Sequence, residues 1–274
     1  MSGYKNESKA LRFLYNTVPG RCFLKILVNP GLSKLAGMYM DTPLSTIHIN
    51  GFIKKNNINL KDYERKRYTS FNDCFTRKIK ASRRPVDMSA DAFVSPCDGK
   101  LSAYKIDSDS VFTIKHSKYS IKSLLDDAKY AEEFAGGTCL IFRLCVDNYH
   151  RYGYVDNGII AGHKPIKGIL HTVRPIATEQ YPVFVRNARE CTVIDTENFG
   201  RIAQIEVGAM FIGKIKNHKK SGKVVKGKEK GMFLYGGSTI VVLVKKDCVN
   251  IKDIYFENTK KGLETDVLYG QTLN

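Results

Sequence analysis

The sequence predicts an α+β fold, with a β-rich antiparallel core and N-terminal amphipathic helices. Three observations predict it. Apolar residues in the first third recur at helical spacing. From about Ala92 onward, short β-branched and aromatic runs alternate with glycine and asparagine turns. The 274 residues are 43% apolar and 26% charged, an ordinary globular composition.

Taken in order, Leu11, Leu14, Tyr15 and Val18 share a helical face that Pro19-Gly20 interrupts. The apolar run 23–28 stops at Asn29-Pro30-Gly31, and Leu32, Leu35, Ala36 and Tyr39 resume the stripe. Asn50-Gly51 reads as a turn. Lys5, Lys9, Arg12, Arg21, Lys25 and Lys34 oppose Glu7 alone in this stretch, so the helices either lie on anionic lipid or cap a core with a solvated basic face. Strands are expected at 111–114, 138–146, 158–161, 169–173, 191–194, 202–215 and 239–244. A helix over 121–134 has Ser120 placed to cap it. The segment 214–230 holds eight lysines and one glutamate and reads as a loop, either solvated or facing phosphate.

The net charge of +17 favours a polyanionic partner. No apolar run approaches 18 residues, which excludes a spanning helix, and no secretory signal is read at the N-terminus. The seven cysteines (Cys22, Cys74, Cys97, Cys139, Cys145, Cys191 and Cys248) show no C-x-x-C spacing and read as reduced thiols. No metal motif, Walker loop or G-x-G-x-x-G occurs. The clustered aromatic and basic signature of an RNA-binding sheet is also missing, so no nucleic-acid partner is expected.

Four short stretches carry chemistry: Phe71-Asn72-Asp73-Cys74-Phe75-Thr76-Arg77-Lys78, Ser95-Pro96-Cys97-Asp98-Gly99-Lys100, Tyr149-His150-Arg151-Tyr152, and Gly236-Gly237-Ser238-Thr239. Each alone is weak, since Asp-Gly is usually a turn and a lone histidine is usually structural. In this order they resemble the phosphatidylserine decarboxylases, self-processing pyruvoyl enzymes. Phe142-Arg143-Leu144, Asn198-Phe199-Gly200, Glu206-Val207-Gly208-Ala209 and the stretch 226–231 strengthen the resemblance, which runs from about Phe71 to Val244.

The chemistry explains the residue types. Decarboxylating an α-amino acid leaves charge on the α-carbon, so an electron sink must be conjugated to the amine. A pyruvoyl ketone is such a sink, made from the chain itself. A serine hydroxyl attacks the preceding carbonyl, the ester eliminates to dehydroalanine, and hydrolysis leaves pyruvoyl and ammonia. Glycine before serine leaves that carbonyl unobstructed. The resemblance therefore implies cleavage between Gly237 and Ser238, with Ser238 the pyruvoyl precursor and fragments 1–237 and 238–274 staying associated.

The resemblance also implies that Asp98 orients a base, and that His150 serves the decarboxylation half. The family usually places the base histidine three residues after His150, where this chain has Gly153. Three readings are open: another group supplies the base, such as His171 or His150 in a double role, processing is slow, or the protein does not mature.

The expectation is a decarboxylase of phosphatidylserine giving phosphatidylethanolamine. Residues 1–66 would form a membrane-associating region and 67–274 the catalytic domain. The protein would be peripheral on the cytoplasmic face of an anionic membrane and, by resemblance, a homodimer. The alternatives are an unprocessed lipid-binding protein without catalysis and a decarboxylase of a soluble amino acid.

Overall fold

The computed structural model describes residues 8–64, 67–114, 117–210, 214–234 and 238–274. The expected boundary between helical region and core falls between residues 66 and 67, and residue 66 lies outside the described residues.

The N-terminal helices form as their caps dictate. Helix α1 (Lys9–Asn16) starts where Ser8 Oγ accepts from Leu11 N at 3.3 Å. Thr17 caps α2 (Val18–Leu27), and Asn29 caps α3 (Pro30–Met40) with Pro30 in the first turn. Helix α4 (Ile49–Lys55) runs through Asn50-Gly51, so no turn occurs there. Packing overrides local propensity, because Ile49, Phe52 and Ile53 cluster with Phe71 and Phe75 of α5 (Phe71–Phe75).

Strands β1 (Gly99–Lys105), β2 (Val111–Ile114), β3 (Ser117–Ser120) and β4 (Thr138–Leu144) follow. Between β3 and β4, Ser120 caps α6 (Ile121–Leu125) as expected, but Asp126 turns left-handed at φ 52° and the helix restarts as α7 (Ala128–Ala131). Next come β5 (Arg151–Gly153), β6 (Gly158–Ile166), α8 (Pro175–Thr178), α9 (Val183–Arg186), β7 (Arg189–Thr196) and β8 (Arg201–Val207). The chain ends through β9 (Ile215–Asn217), β10 (Gly222–Val224), β11 (Glu229–Phe233), β12 (Ser238–Val244), α10 (Asp253–Lys260) and β13 (Thr265–Val267).

Among the described residues, eight strands make an antiparallel sheet in the order β10-β6-β7-β8-β12-β4-β1-β13, and β5-β11-β9 make a smaller one. The large sheet separates two cores. Val241, Leu243, Ile141 and Ile205 face one side, with Tyr15, Leu24 and Val28 of the N-terminal helices. Ile240, Val242, Leu144 and Leu101 face the other, with Tyr152, Phe233 and Tyr255. This alternation is the period-2 pattern of strands buried on both faces.

Two strand expectations and one loop expectation change. Residues 169–173 make only one bridge, Ile169 with Asn187. Their donors go elsewhere: Leu170 N to Val28 O at 2.9 Å, and His171 N to Asn187 Oδ1 at 3.0 Å. The run expected over 202–215 divides into β8 and β9, which belong to different sheets. The lysine-rich segment is partly structural, containing β9, β10 and two buried lysines, Lys226 and Lys230. Lys226 Nζ donates to Ser89 O and Ala92 O, each at 2.8 Å.

Candidate active site

Ser238 opens β12 and pairs with Leu144 of β4, while Ile240, Val242 and Val244 follow it on the same face. It is fully buried, and among the described residues its Oγ has no hydrogen-bond partner. Such a buried hydroxyl costs about 1–3 kcal/mol, so its retention points to use. Gly237, expected to supply the cleaved carbonyl, lies outside the described residues.

The sheet brings the second stretch alongside. Lys100 pairs with Arg143, so Gly99 lines up with Leu144 and, one strand further, with Ser238. Two strand spacings separate Gly99 and Ser238, about 10 Å. Asp98 precedes this row and is buried. Arg84 Nε donates to its Oδ1 at 2.7 Å and Arg84 Nη2 to its Oδ2 at 2.6 Å. Tyr269 N adds a third bond to Oδ1 at 2.8 Å. Both carboxylate oxygens thus hold Arg84 and the C-terminal segment, and among the described residues no histidine bonds to them.

His150 enters β5 beside the chain that leads to Ser238, and Phe233 N donates to its carbonyl at 3.0 Å. Its Nδ1 lies 2.9 Å from Asn148 O, which fixes the proton on Nδ1 and leaves the Nε2 lone pair free. Nε2 is buried, with no partner among the described residues. Burial first, and then the Arg77 charge, hold the imidazole pKa down to about 3, so it is neutral at physiological pH. The first stretch builds the floor below. The Phe75 ring sits 4.1 Å from the imidazole, and Arg77 donates to Asp147 O at 2.9 Å and to Tyr63 Oη at 3.2 Å.

A family model for phosphatidylserine decarboxylase matches residues 71–273. The chain belongs to the phosphatidylserine decarboxylase family. It is 45% identical over 272 residues to phosphatidylserine decarboxylase proenzyme 2 of Clostridium acetobutylicum, covering 98% of this chain and 92% of that one. It is 41% identical to the phosphatidylserine decarboxylase proenzymes of Clostridium perfringens SM101 and Ruminiclostridium cellulolyticum. Each comparison covers 97% of this chain, and 92% and 90% of those chains.

Within this phosphatidylserine decarboxylase fold, Gly153 has a structural cause. A Cβ there would collide with the Tyr269 phenol, 2.8 Å from Cζ, and lie 3.0 Å from Lys228 O. Tyr269 Oη donates to Gly227 O at 2.7 Å, which holds the ring in that volume. No side chain fits at 153 while Tyr269 stands there.

His171 does not take over. Its Nδ1 bonds Tyr15 Oη at 3.1 Å, and its ring stacks on Tyr181 at 4.5 Å. Tyr15 belongs to the core on the opposite face of the sheet from Ser238, so the expectation that His171 serves as the base is corrected.

Arg84, Tyr269 and the buried pair Glu206–Lys230 escaped the sequence reading. Arg84 and Tyr269 carry no local signal. Glu206 and Lys230 lay inside recognised stretches, but a charge in a strand pattern reads as solvent-facing until the second layer is known.

Proposed function

We propose that this chain is a self-processing phosphatidylserine decarboxylase that cuts itself between Gly237 and Ser238 and converts Ser238 to a pyruvoyl group. The buried Ser238 Oγ at the mouth of a core strand, with no partner among the described residues, carries this reading. The residues present fit the group: Nε2 of His150 is a second buried atom without a partner among the described residues, and the Phe75 ring packs on that imidazole. The pyruvoyl ketone supplies the electron sink for loss of carbon dioxide.

The chain's own residues supply positioning. His150, neutral with a lone pair on Nε2, accepts a hydrogen bond from the substrate and holds the geometry for proton return to the α-carbon. Asp98 anchors Arg84 and the segment around Tyr269, so it acts by positioning.

The lipid substrate is supported at the N-terminus. Phe13, Val18, Phe23, Ile26, Leu35, Met38, Leu44 and Ile47 are exposed there. A cavity of about 510 Å³ beside α2 is lined by Arg21, Lys25 and Arg186 together with Val18, Leu24 and Val28. Cations beside apolar side chains match a phospholipid better than a free amino acid. No helix among the described residues is long and apolar enough to cross a membrane. We place residues 1–66 on an anionic membrane surface, peripherally and on the cytoplasmic face, with 67–274 as the catalytic domain. The family resemblance also implies a homodimer, which light scattering tests.

Intact mass under denaturing conditions is the test of processing. Two chains, 1–237 and a pyruvoyl-blocked 238–274, are expected. In native gel filtration they co-elute, because β12 is paired on both sides. A single chain, uncut after incubation with anionic vesicles, favours the non-catalytic lipid-binding alternative.

A further inference from the structure

If Ser238 is the self-cleaving nucleophile, as proposed above, its proton needs an acceptor. The position where the family carries a base histidine is Gly153, Asp98 has both oxygens engaged, His171 sits across the sheet, and burial and Arg77 make the His150 imidazole a weak base. Among the described residues, Asp156 is held by Asn198 and Lys226, and Glu206 is a buried carboxylate on the face that carries Ser238. Ile240 pairs with Glu206 and Thr239 with Val207, so Ser238 and Glu206 are diagonal neighbours on adjacent antiparallel strands. Such neighbours lie about 7–8 Å apart, within reach of a long side chain. Both side chains point to the face that carries Ile240, Val242 and Ile202.

Glu206 is fully buried and polarised. Lys230 Nζ bonds its Oε2 at 2.6 Å, and Asn217 Nδ2 bonds the same oxygen at 3.0 Å. Lys230 is fully buried too. The other oxygen, Oε1, is buried with no partner among the described residues, like Ser238 Oγ. Gln204, two residues before Glu206 on the same strand and face, donates from Nε2 to Gly153 O at 3.1 Å. The strand face that carries Glu206 therefore also meets the backbone at Gly153. A buried ion pair is costly to keep and is often neutral or better when replaced by apolar residues. One whose second oxygen is left open has a use beyond stability.

We propose that Glu206 is the proton acceptor for Ser238 in self-cleavage, acting through Oε1. As Ser238 Oγ attacks the Gly237 carbonyl carbon, the O–C bond forms and the hydroxyl proton moves to Oε1. The C–N bond then breaks, and the Ser238 nitrogen leaves as an amine carrying that proton. The product is an ester with no change of oxidation state. Lys230 and Asn217 hold Glu206 in place throughout, and before the attack they favour its ionised form against the cost of burial.

The test follows maturation of the full chain by intact mass after cell-free synthesis. Wild type, Ser238→Ala, the double variant Glu206→Gln/Lys230→Met and Glu206→Asp are compared. The double variant removes both charges at nearly constant volume, leaving no buried lysine unpaired. It is expected to fold, by circular dichroism, and to mature at least about 100-fold more slowly. Hydroxylamine, which cuts esters, is expected to leave it intact because no ester has formed. Glu206→Asp keeps the ion pair but draws the carboxylate back, and is expected to slow maturation about tenfold or more. This variant decides the matter if the double variant does not fold.

Wild-type maturation in Glu206→Asp or in the folded double variant, with Ser238→Ala uncut, overturns the role of Glu206 alone. A hydroxylamine-sensitive ester accumulating in the double variant also overturns it, by moving Glu206 to a later step. A wild-type chain that never cuts overturns the self-processing reading instead.

Discussion

Gly153 and Tyr269 share one volume, and that sharing decides which groups can serve Ser238. A Gly153→His variant forces the imidazole against the Tyr269 ring and Lys228 O. Overpacking of this kind costs about 1–3 kcal/mol. The expected outcome is a thermal midpoint several degrees lower, partly regained when Tyr269→Gly opens the space. An unchanged midpoint in the single variant contradicts the packing argument.

His150 makes a second prediction at this scale. Its pKa falls from the usual 6.5 to about 3, by burial and then Arg77. Between those values the unfolded chain binds a proton that the folded chain refuses. Stability is therefore full above pH 6.5 and lost as pH falls, by up to about 1.4 kcal/mol per pH unit for one such group. His171, held down to about 4 chiefly by burial, works in the same direction. Urea midpoints measured from pH 7 to 4.5 should fall, and His150→Gln should flatten the slope. A flat wild-type profile would show that the imidazole is solvated.

At the scale of elements, β12 and the N-terminal helices have opposite duties. Every residue of β12 is buried, and ladders to β8 and β4 hold it on both sides. A cut at its N-terminal end leaves the pairing of residues 239–244 on both sides in place, which is why the fragments should remain together. The helices α1 to α3 instead split their apolar residues between core and surface. Tyr15, Leu24 and Val28 dock inward, while Phe23 and Ile26 point outward at 58% and 63% exposure. Each fully buried side chain of this size contributes about 1.5–3 kcal/mol. The variant Phe23→Ser/Ile26→Ser should bind anionic vesicles at least tenfold more weakly in co-sedimentation, with its melting temperature unchanged. Equal binding would move the membrane contact elsewhere.

For the whole molecule, the +17 charge adds a long-range component to that contact. Added salt shortens the Debye length from about 10 Å at 0.1 M to about 3 Å at 1 M, so vesicle binding should weaken across that range. Part of this basic character is internal, since Lys226 and Lys230 neutralise buried acceptors and face no lipid.

The sequence by itself determined the α+β class, the order of the four stretches and the serine at the head of a core strand. Those features are local: spacing, turn residues and a continuous β-branched run report directly on short-range backbone geometry. Even so, β1 was missed, because Asp98-Gly99 reads as a turn although Leu101 and Ala103 alternate with Lys100 and Ser102. Only the tertiary structure decided the partners. Tyr269 meets Gly153 from more than a hundred residues away, Arg84 takes Asp98, and His171 turns to Tyr15 across the sheet. Glu206 reaches the Ser238 side through strand register alone. Side-chain chemistry at a site depends on which long-range elements close around it, and no local pattern encodes that closure.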